Sequence, residues 1–87
     1  MSQVLLHPKA VKFLEKLDVQ IKERVKRKIK ELEKNPKAGK HLKYSNFWSL
    51  RIGDYRVIYE INKDKTIILL IGHRKNVYDD FSKLLFF

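Results

Sequence analysis

FWSLRIGDYRVIYEI, residues 47 to 61, and TIILLIGHRKNVY, residues 66 to 78, are the stretch whose reading decides the fold. The pair Gly53-Asp54 is the signal of a two-residue hairpin turn, so two strands meet there, Phe47–Ile52 and Tyr55–Ile61. Successive side chains of a strand point to opposite faces. Phe47, Ser49 and Arg51 therefore share one face, and Trp48, Leu50 and Ile52 share the other and are expected in the core. On the second strand Tyr55, Val57, Tyr59 and Ile61 face one way, and Arg56, Ile58 and Glu60 the other. A third strand, Thr66–Gly72, follows the break at Asn62–Lys65 and is apolar on both faces, as expected of a strand with neighbours on both sides. The three strands make an antiparallel meander.

Upstream, SQVLL (residues 2–6) reads as a short first strand that His7-Pro8 ends, because the residue before proline avoids the helical region. Pro8 then suits the first turn of a helix. Ala10, Val11, Phe13, Leu14 and Leu17 recur at three- and four-residue spacing. Asp18 is a good cap for a second helix running to about Lys34, with Ile21, Val25, Ile29 and Leu32 as its core stripe. Lys22, Lys26 and Lys30 form a basic row beside that stripe, and Glu23 and Arg27 stand at a favourable i,i+4 spacing. Asn35-Pro36 stops the helix, and residues 35–46 read as a loop. A short helix or extension, Tyr78–Phe87, ends the chain. The class is α+β in the order β-α-α-β-β-β: an N-terminal strand and an antiparallel helical hairpin packed on the meander, then a short C-terminal helix. One sheet face packs on the hairpin. The other is expected to stay open, floored by aromatics and lined with arginines.

A chain of 87 residues is expected to form a single domain, residues 1–87. Its hydrophobic fraction of 44% supports a packed core rather than a disordered tail. With no cysteine, disulfides are excluded. The start MSQVLLHPKA is too short and too quickly polar for a signal peptide. The longest apolar run, Ile67 to Ile71, is far below the ~20 residues of a membrane span. A cytoplasmic protein without membrane association is the expectation. The net charge of +10 favours polyanions as partners. It exceeds the magnitude of about 2–8 that solubility alone needs. It is also uneven: residues 7–43 hold 13 of the 20 Lys and Arg against five acids.

Phosphate recognition would have to come from side chains, since no Walker motif, Rossmann glycine pattern or Ser-His-Asp set is present. Arg51 and Arg56 straddle the hairpin turn, and Arg74 lies just past the end of the third strand. Guanidinium groups there can clamp a phosphate and stabilise added charge in its transition state. Alternatively, each pairs with Asp54, Glu60, Asp79 or Asp80. Tyr78, four residues after Arg74, is either a base favoured by neighbouring cations or an aromatic plug for the last helix. His73 is either a general acid or base or a structural residue on the face away from Arg74. His7 and His41 read as a strand end and a loop position. The three histidines lack metal-ligand spacing, so no metal or other cofactor is expected.

The element order, the string LRIGDYRVIYEI (residues 50–61) and the ending IGHRKNVYDDF (residues 71–81) resemble the RelE/ParE superfamily of toxins from toxin–antitoxin modules, with the RelE branch nearest. The resemblance covers nearly the whole chain. It implies a RelE-like fold and a ribosome-dependent endoribonuclease that cuts messenger RNA in the A site. There the ribose 2′-OH attacks the adjacent phosphate, leaving a 2′,3′-cyclic phosphate and a 5′-OH and stopping translation. Carried over by position, Arg56 stabilises charge on the phosphate, and Arg74 the transition state or leaving group. Tyr78 is the general base, with His73 able to share its work. Arg51 matches a basic residue of the preceding strand, while Ser49 stands where well-known relatives carry lysine. The spacing from Arg74 to Tyr78 is also shorter than in some relatives. Lys22, Lys26 and Lys30 would touch ribosomal RNA phosphates, and Lys43 and Lys75 join Ser49 and Arg51 in the expected RNA-binding set. The resemblance further implies a cognate antitoxin that covers the basic face, displaces or buries the C-terminal helix and carries the complex to operator DNA. The apolar ending Leu84, Leu85, Phe86, Phe87 is compatible with such a partner. The alternative within the superfamily is a ParE-like, non-enzymatic toxin that inhibits DNA gyrase by binding. A plain nucleic-acid-binding module is the third reading.

Overall fold

His7 and Pro8 divide the first strand from the first helix. The computed structural model describes residues 2–43 and 45–86, the side chains of Leu85 and Phe86 excepted. It places β1 at Gln3–Leu6 and α1 at Pro8–Glu15. His7 Nδ1 accepts the Lys9 amide at 3.1 Å, and Pro8 occupies the first turn, where a missing N–H has no consequence. α2 spans Val19–Glu31. The Asp18 carbonyl accepts from Lys22 N–H at 2.7 Å, but its carboxylate makes no cap bond. The helix stops short of Lys34 because the amides of Leu32, Glu33 and Lys34 each bond three residues back, a tightening that closes helix ends. The expected Glu23–Arg27 pair does not form. Among the described residues α2 carries one ion pair, Lys28–Glu31 at 3.7 Å, exposed and therefore of little energetic consequence.

Residues 35–46 hold more structure than their Pro, Gly and Asn content indicates. A 3₁₀ turn at Pro36–Ala38 leads into β2, Lys40–His41. β3 (Phe47–Ile52), β4 (Tyr55–Asn62) and β5 (Lys65–His73) form the meander, and α3 (Val77–Phe86) follows. The sheet order is β1-β5-β4-β3-β2, with β1 parallel to β5 and every other pair antiparallel. Gly53 takes a φ of 59°, as a tight two-residue turn requires and as only glycine adopts freely.

Strict alternation fails once. Ile58 opposes Leu70 and Tyr59 opposes Ile68, so Leu69 is an extra residue on β5. Leu69 and Leu70 consequently both pack toward one side, while Ile68 and Ile71 pack toward the other. The apolar run of β5 thus serves two cores. The larger joins Ala10, Leu14, Val25, Ile29 and Leu32 of the helical layer to Ile52, Val57, Tyr59, Ile68 and Ile71, with Trp48 and Leu50 packed against it. Fully burying each such aliphatic chain contributes about 1.5–3 kcal/mol.

The opposite face is not open along its length, which corrects the expectation. α3 lays Val77, Phe81 and Leu84, spaced four and three residues apart, onto Ile58, Leu70 and Phe47. Phe81 meets Phe47 edge-to-face at 5.0 Å. An amphipathic helix of this kind has to bury its apolar stripe, and Ile58, Leu70 and Phe47 offer the apolar area on that face that receives it. What stays uncovered is the polar strip beside the Gly53–Asp54 turn. Of the apolar chain ending, Leu84 is half-buried, and Phe87 and the side chains of Leu85 and Phe86 lie outside the described residues. No described helix is long and apolar enough to cross a membrane.

Candidate functional site

The hairpin register sets Arg51 directly opposite Arg56 on the strip that α3 leaves free. Like charges directly opposite weaken a strand pair, so packing alone does not account for the arrangement. No carboxylate relieves it: the ion pairs among the described residues are Lys28–Glu31 and Arg74–Asp54. Asp79 and Asp80 sit instead in the first turn of α3, where acids complement the helix dipole. Arg56 is half-buried, and its Nη1 donates to the carbonyls of Gly53 and Tyr55, both at 2.9 Å. The guanidinium is thereby held by the turn that bends the chain.

Ser49, two residues before Arg51, is buried on the same face. Its hydroxyl stands 3.1 Å from that of Tyr78, carried in by the first turn of α3. Tyr78 is 46% exposed, so its ring does not plug the core. Val77 and Phe81 anchor the helix instead. Between these groups lies an open cleft of about 600 Å³ lined by Ser49, Arg51, Arg56 and Tyr78, with Ala38, Gly39 and Lys40 forming the facing wall.

That wall is pinned by Tyr59. Its hydroxyl donates to the Pro36 carbonyl at 2.7 Å and accepts the Gly39 amide at 3.0 Å. Burial pushes the Tyr59 phenol up from its ordinary 10.0, partly countered by the Gly39 amide. Gly39 lies so close to β3 and to Tyr59 that a Cβ there would fall 2.7 Å from both the Ser49 carbonyl oxygen and the Tyr59 hydroxyl. Gly39 and Lys40 escape a reading of the sequence, since a two-residue strand is too short to display alternation, and the reach of the Tyr59 hydroxyl to Gly39 spans twenty positions.

The other expected site residues are placed differently. Arg74 is held at the hairpin turn: its amide donates to the Asp54 carbonyl at 2.8 Å and its Nε stands 3.9 Å from the Asp54 carboxylate. It does not line the cleft. His73 pairs with Tyr55 on the helical side of the sheet, its ring edge-to-face with Tyr55 at 5.7 Å, and its Nδ1 accepts the Lys75 amide at 3.2 Å. It is thus separated by the sheet from Arg56 and Tyr78. Lys22, Lys26 and Lys30 lie on α2, also behind the sheet, where Lys26 and Lys30 border a groove of about 350 Å³ with Val4, Leu6, Leu14 and Ile29. Lys43 and Lys75 are exposed in the segments after β2 and β5.

Residues 4–78 match the family described as the ParE toxin of the type II toxin-antitoxin system parDE. The chain belongs to the RelE/ParE superfamily of toxins. Within that superfamily it is close to RelE. It is 33% identical over 86 residues to Toxin RelE3 of Methanocaldococcus jannaschii, covering 91% of this chain and 98% of that one. The toxin in the RelB–RelE antitoxin–toxin complex of Methanococcus jannaschii is 34% identical, with a TM-score of 0.73 over 88% of this chain and 98% of its own. The isolated RelE toxin of E. coli, at 22% identity, shares the fold with a TM-score of 0.74 over 98% of this chain and 99% of its own. The RelE/ParE toxin described here is thus a toxin of RelE type.

Proposed function

We propose that this toxin is a ribosome-dependent endoribonuclease acting in the cytoplasm, with the cleft between β3, α3 and the 36–40 segment as its active site. The observation that carries this reading is the Arg51–Arg56 pair, set opposite one another without a carboxylate partner among the described residues and facing the Tyr78 hydroxyl. A phosphodiester is an anion of the right size for such a cleft, and guanidinium forks bind it bidentately.

In the proposed reaction Tyr78 takes the proton of a ribose 2′-OH, and the 2′-oxygen attacks the adjacent phosphorus. The P–O5′ bond breaks, the departing oxygen gains a proton, and the products are a 2′,3′-cyclic phosphate and a 5′-OH. Arg56, already oriented by two backbone carbonyls, meets the added charge on the equatorial oxygens. Arg51 holds the same phosphate from the opposite strand. Arg74, tethered only by an exposed contact to Asp54, swings to the leaving side. The Ser49 hydroxyl orients the phenol. His73 takes the structural of its two readings. Lys22, Lys26 and Lys30 would serve the larger RNA surface by salt-dependent phosphate contacts, with the exposed Lys43 and Lys75 adding to it. No metal or cofactor enters this scheme. A cognate antitoxin is the expected partner, supported by the relative whose structure is a RelB–RelE complex. It would carry the pair to operator DNA.

Primer extension on a defined message in a translation extract tests the reading. Cuts confined to ribosome-bound message, absent with Arg74→Ala, are the expected result. No cuts from folded protein that still arrests growth would reject it. The ParE description of the matching family favours a second reading, gyrase inhibition by binding alone. A supercoiling assay showing inhibition in both the wild type and Tyr78→Phe would establish it.

A further inference from the structure

Lys40 is the third cation lining the cleft, beside Arg51 and Arg56, and the proposed reaction gives it no role. β2 is two residues long and lies at the sheet edge, yet its position is closely determined. Lys40 is the cross-strand partner of Ser49 and His41 that of Trp48. Directly paired residues share a face, so Lys40 stands on the cleft side with Ser49, and it lines the cleft. His41 goes to the other side and stacks on Trp48 at 4.8 Å. On one flank the Tyr59 hydroxyl holds Pro36 and Gly39. On the other, the Leu42 amide donates to the Phe47 carbonyl at 2.9 Å and the Ser45 hydroxyl to the Leu42 carbonyl at 2.8 Å.

Two further facts give this placement meaning. Arg51 is two residues along β3 from Ser49, which makes it the diagonal neighbour of Lys40 on the same face. Such neighbours stand about 7–8 Å apart, within reach of one phosphate for two long side chains. Lys40 also has no carboxylate partner among the described residues, and none of the residues lining the cleft is acidic. A lysine in a chain of high positive charge is usually a solvated tip. This one is exposed, but its backbone is set on the cleft wall that faces two arginines, by its pairing with Ser49 and by a buried tyrosine that holds the tightly packed Gly39.

We propose that Lys40 is an RNA phosphate-binding residue of the cleft, gripping from the β2 wall the backbone that Arg51 and Arg56 grip from the hairpin, and that Tyr59 is its positioning residue. The assignment rests on the reading of the cleft as a phosphodiester site. It predicts that the strand is held on both sides of the scissile position, by a rigid fork on one side and a compact ammonium on the other.

The test uses the whole chain and a single-stranded RNA hexamer with 2′-O-methyl riboses, which offers phosphates and cannot be cut. Affinity is measured against salt, where each phosphate contact on a single strand contributes about 0.7 to the slope of log K on log salt. Lys40→Ala should lower that slope by about 0.7 and slow cleavage on ribosomes about tenfold or more, and Lys40→Arg should restore the slope. Tyr59→Phe should lose part of the slope as well, which a merely structural role would not produce. Lys65→Ala, at the other end of the sheet, is the control that keeps it. An unchanged slope in Lys40→Ala overturns the assignment whether or not the wild type cuts message. A wild type that cuts nothing, with the slope still falling in Lys40→Ala, supports the phosphate contact and rejects only the nuclease reading.

Discussion

Replacing Arg56 separates a guanidinium that binds substrate from one that supports the fold. Nη1 carries two N–H groups, and both are engaged, on the carbonyls of Gly53 and Tyr55. A guanidinium has five donors, so the Nε and Nη2 edge retains about three, in the fork geometry that matches phosphate. Hydrogen bonds to a charged group are worth about 1.5–3 kcal/mol each. Deleting one preorganised contact to a developing oxyanion costs about 2.7–4 kcal/mol, or 10²–10³ in rate. Arg56→Ala should therefore slow single-turnover cleavage of ribosome-bound message at least about a hundredfold. Lysine has three donors; with two on the turn carbonyls it keeps one and no fixed plane, so Arg56→Lys should recover only about tenfold of the loss. Stability should move the other way. The two turn carbonyls can turn to water, and removing Arg56 relieves its repulsion with Arg51. The melting temperature of Arg56→Ala should stay within a few degrees of wild type or rise, where about 1 kcal/mol corresponds to roughly 4–8 °C in a chain this size. Cleavage within threefold of wild type would refute the substrate contact. Normal chemistry combined with a large drop in melting temperature would show the guanidinium to be a structural clamp on the turn.

Gly39→Ala places a methyl 2.7 Å from two oxygens, so β2 must shift, at a cost of about 1–3 kcal/mol by urea unfolding; an unchanged midpoint would mean that the wall is not held. Tyr59→Phe leaves the Gly39 amide and Pro36 carbonyl without their partner and should cost about 1–3 kcal/mol. The Tyr59 phenol is raised above 10.0, so on raising pH the unfolded chain loses this proton first. The stability difference between wild type and Tyr59→Phe should therefore be constant below pH 10 and shrink above it, and urea midpoints holding a constant difference past that point would contradict the assignment. Tyr78→Phe should lower cleavage by about 10²–10⁴, as loss of a general base does. Ser49→Ala, which removes only the orienting hydroxyl, should cost about tenfold or less; the reverse order would make Ser49 the principal group.

The hairpin and its two faces are legible because two local rules act together there. Gly53-Asp54 sets the turn, and alternation then assigns Trp48, Leu50 and Ile52 to one side and Ser49 and Arg51 to the other. Ser49, Arg51 and Arg56 could be placed together for that reason alone. Features that depend on distant partners were not legible. The parallel pairing of β1 with β5 joins residues more than sixty positions apart. The bulge at Leu69 hides inside a uniformly apolar run, where a break in period leaves no trace. β2 is positioned in part by a tyrosine hydroxyl on β4 that holds Gly39 beside it, and Lys40 reaches the cleft side through its pairing with Ser49. The cover over part of the second face follows from α3 burying Val77 and Phe81 against Ile58 and Leu70.

The division into two cores bears on how the cleft can be controlled. Among the described residues, ten buried ones join the helical layer to the sheet, while α3 is held through a second cluster of four, Ile58, Leu70, Val77 and Phe81. Elements with few buried apolar contacts open locally at a lower free energy than the rest of the domain. Arg51 and Arg56 stand on the sheet and Tyr78 on the helix, so the catalytic set proposed for this toxin is split across that boundary. Releasing α3 would separate the Tyr78 hydroxyl from Ser49 without disturbing the larger core, and would bare Ile58 and Leu70 beside uncompensated positive charge. A surface both apolar and basic is what an amphipathic, acidic segment binds best. A partner of that kind could therefore silence the cleft and occupy the vacated face in one step, with the sheet and its arginines left in place.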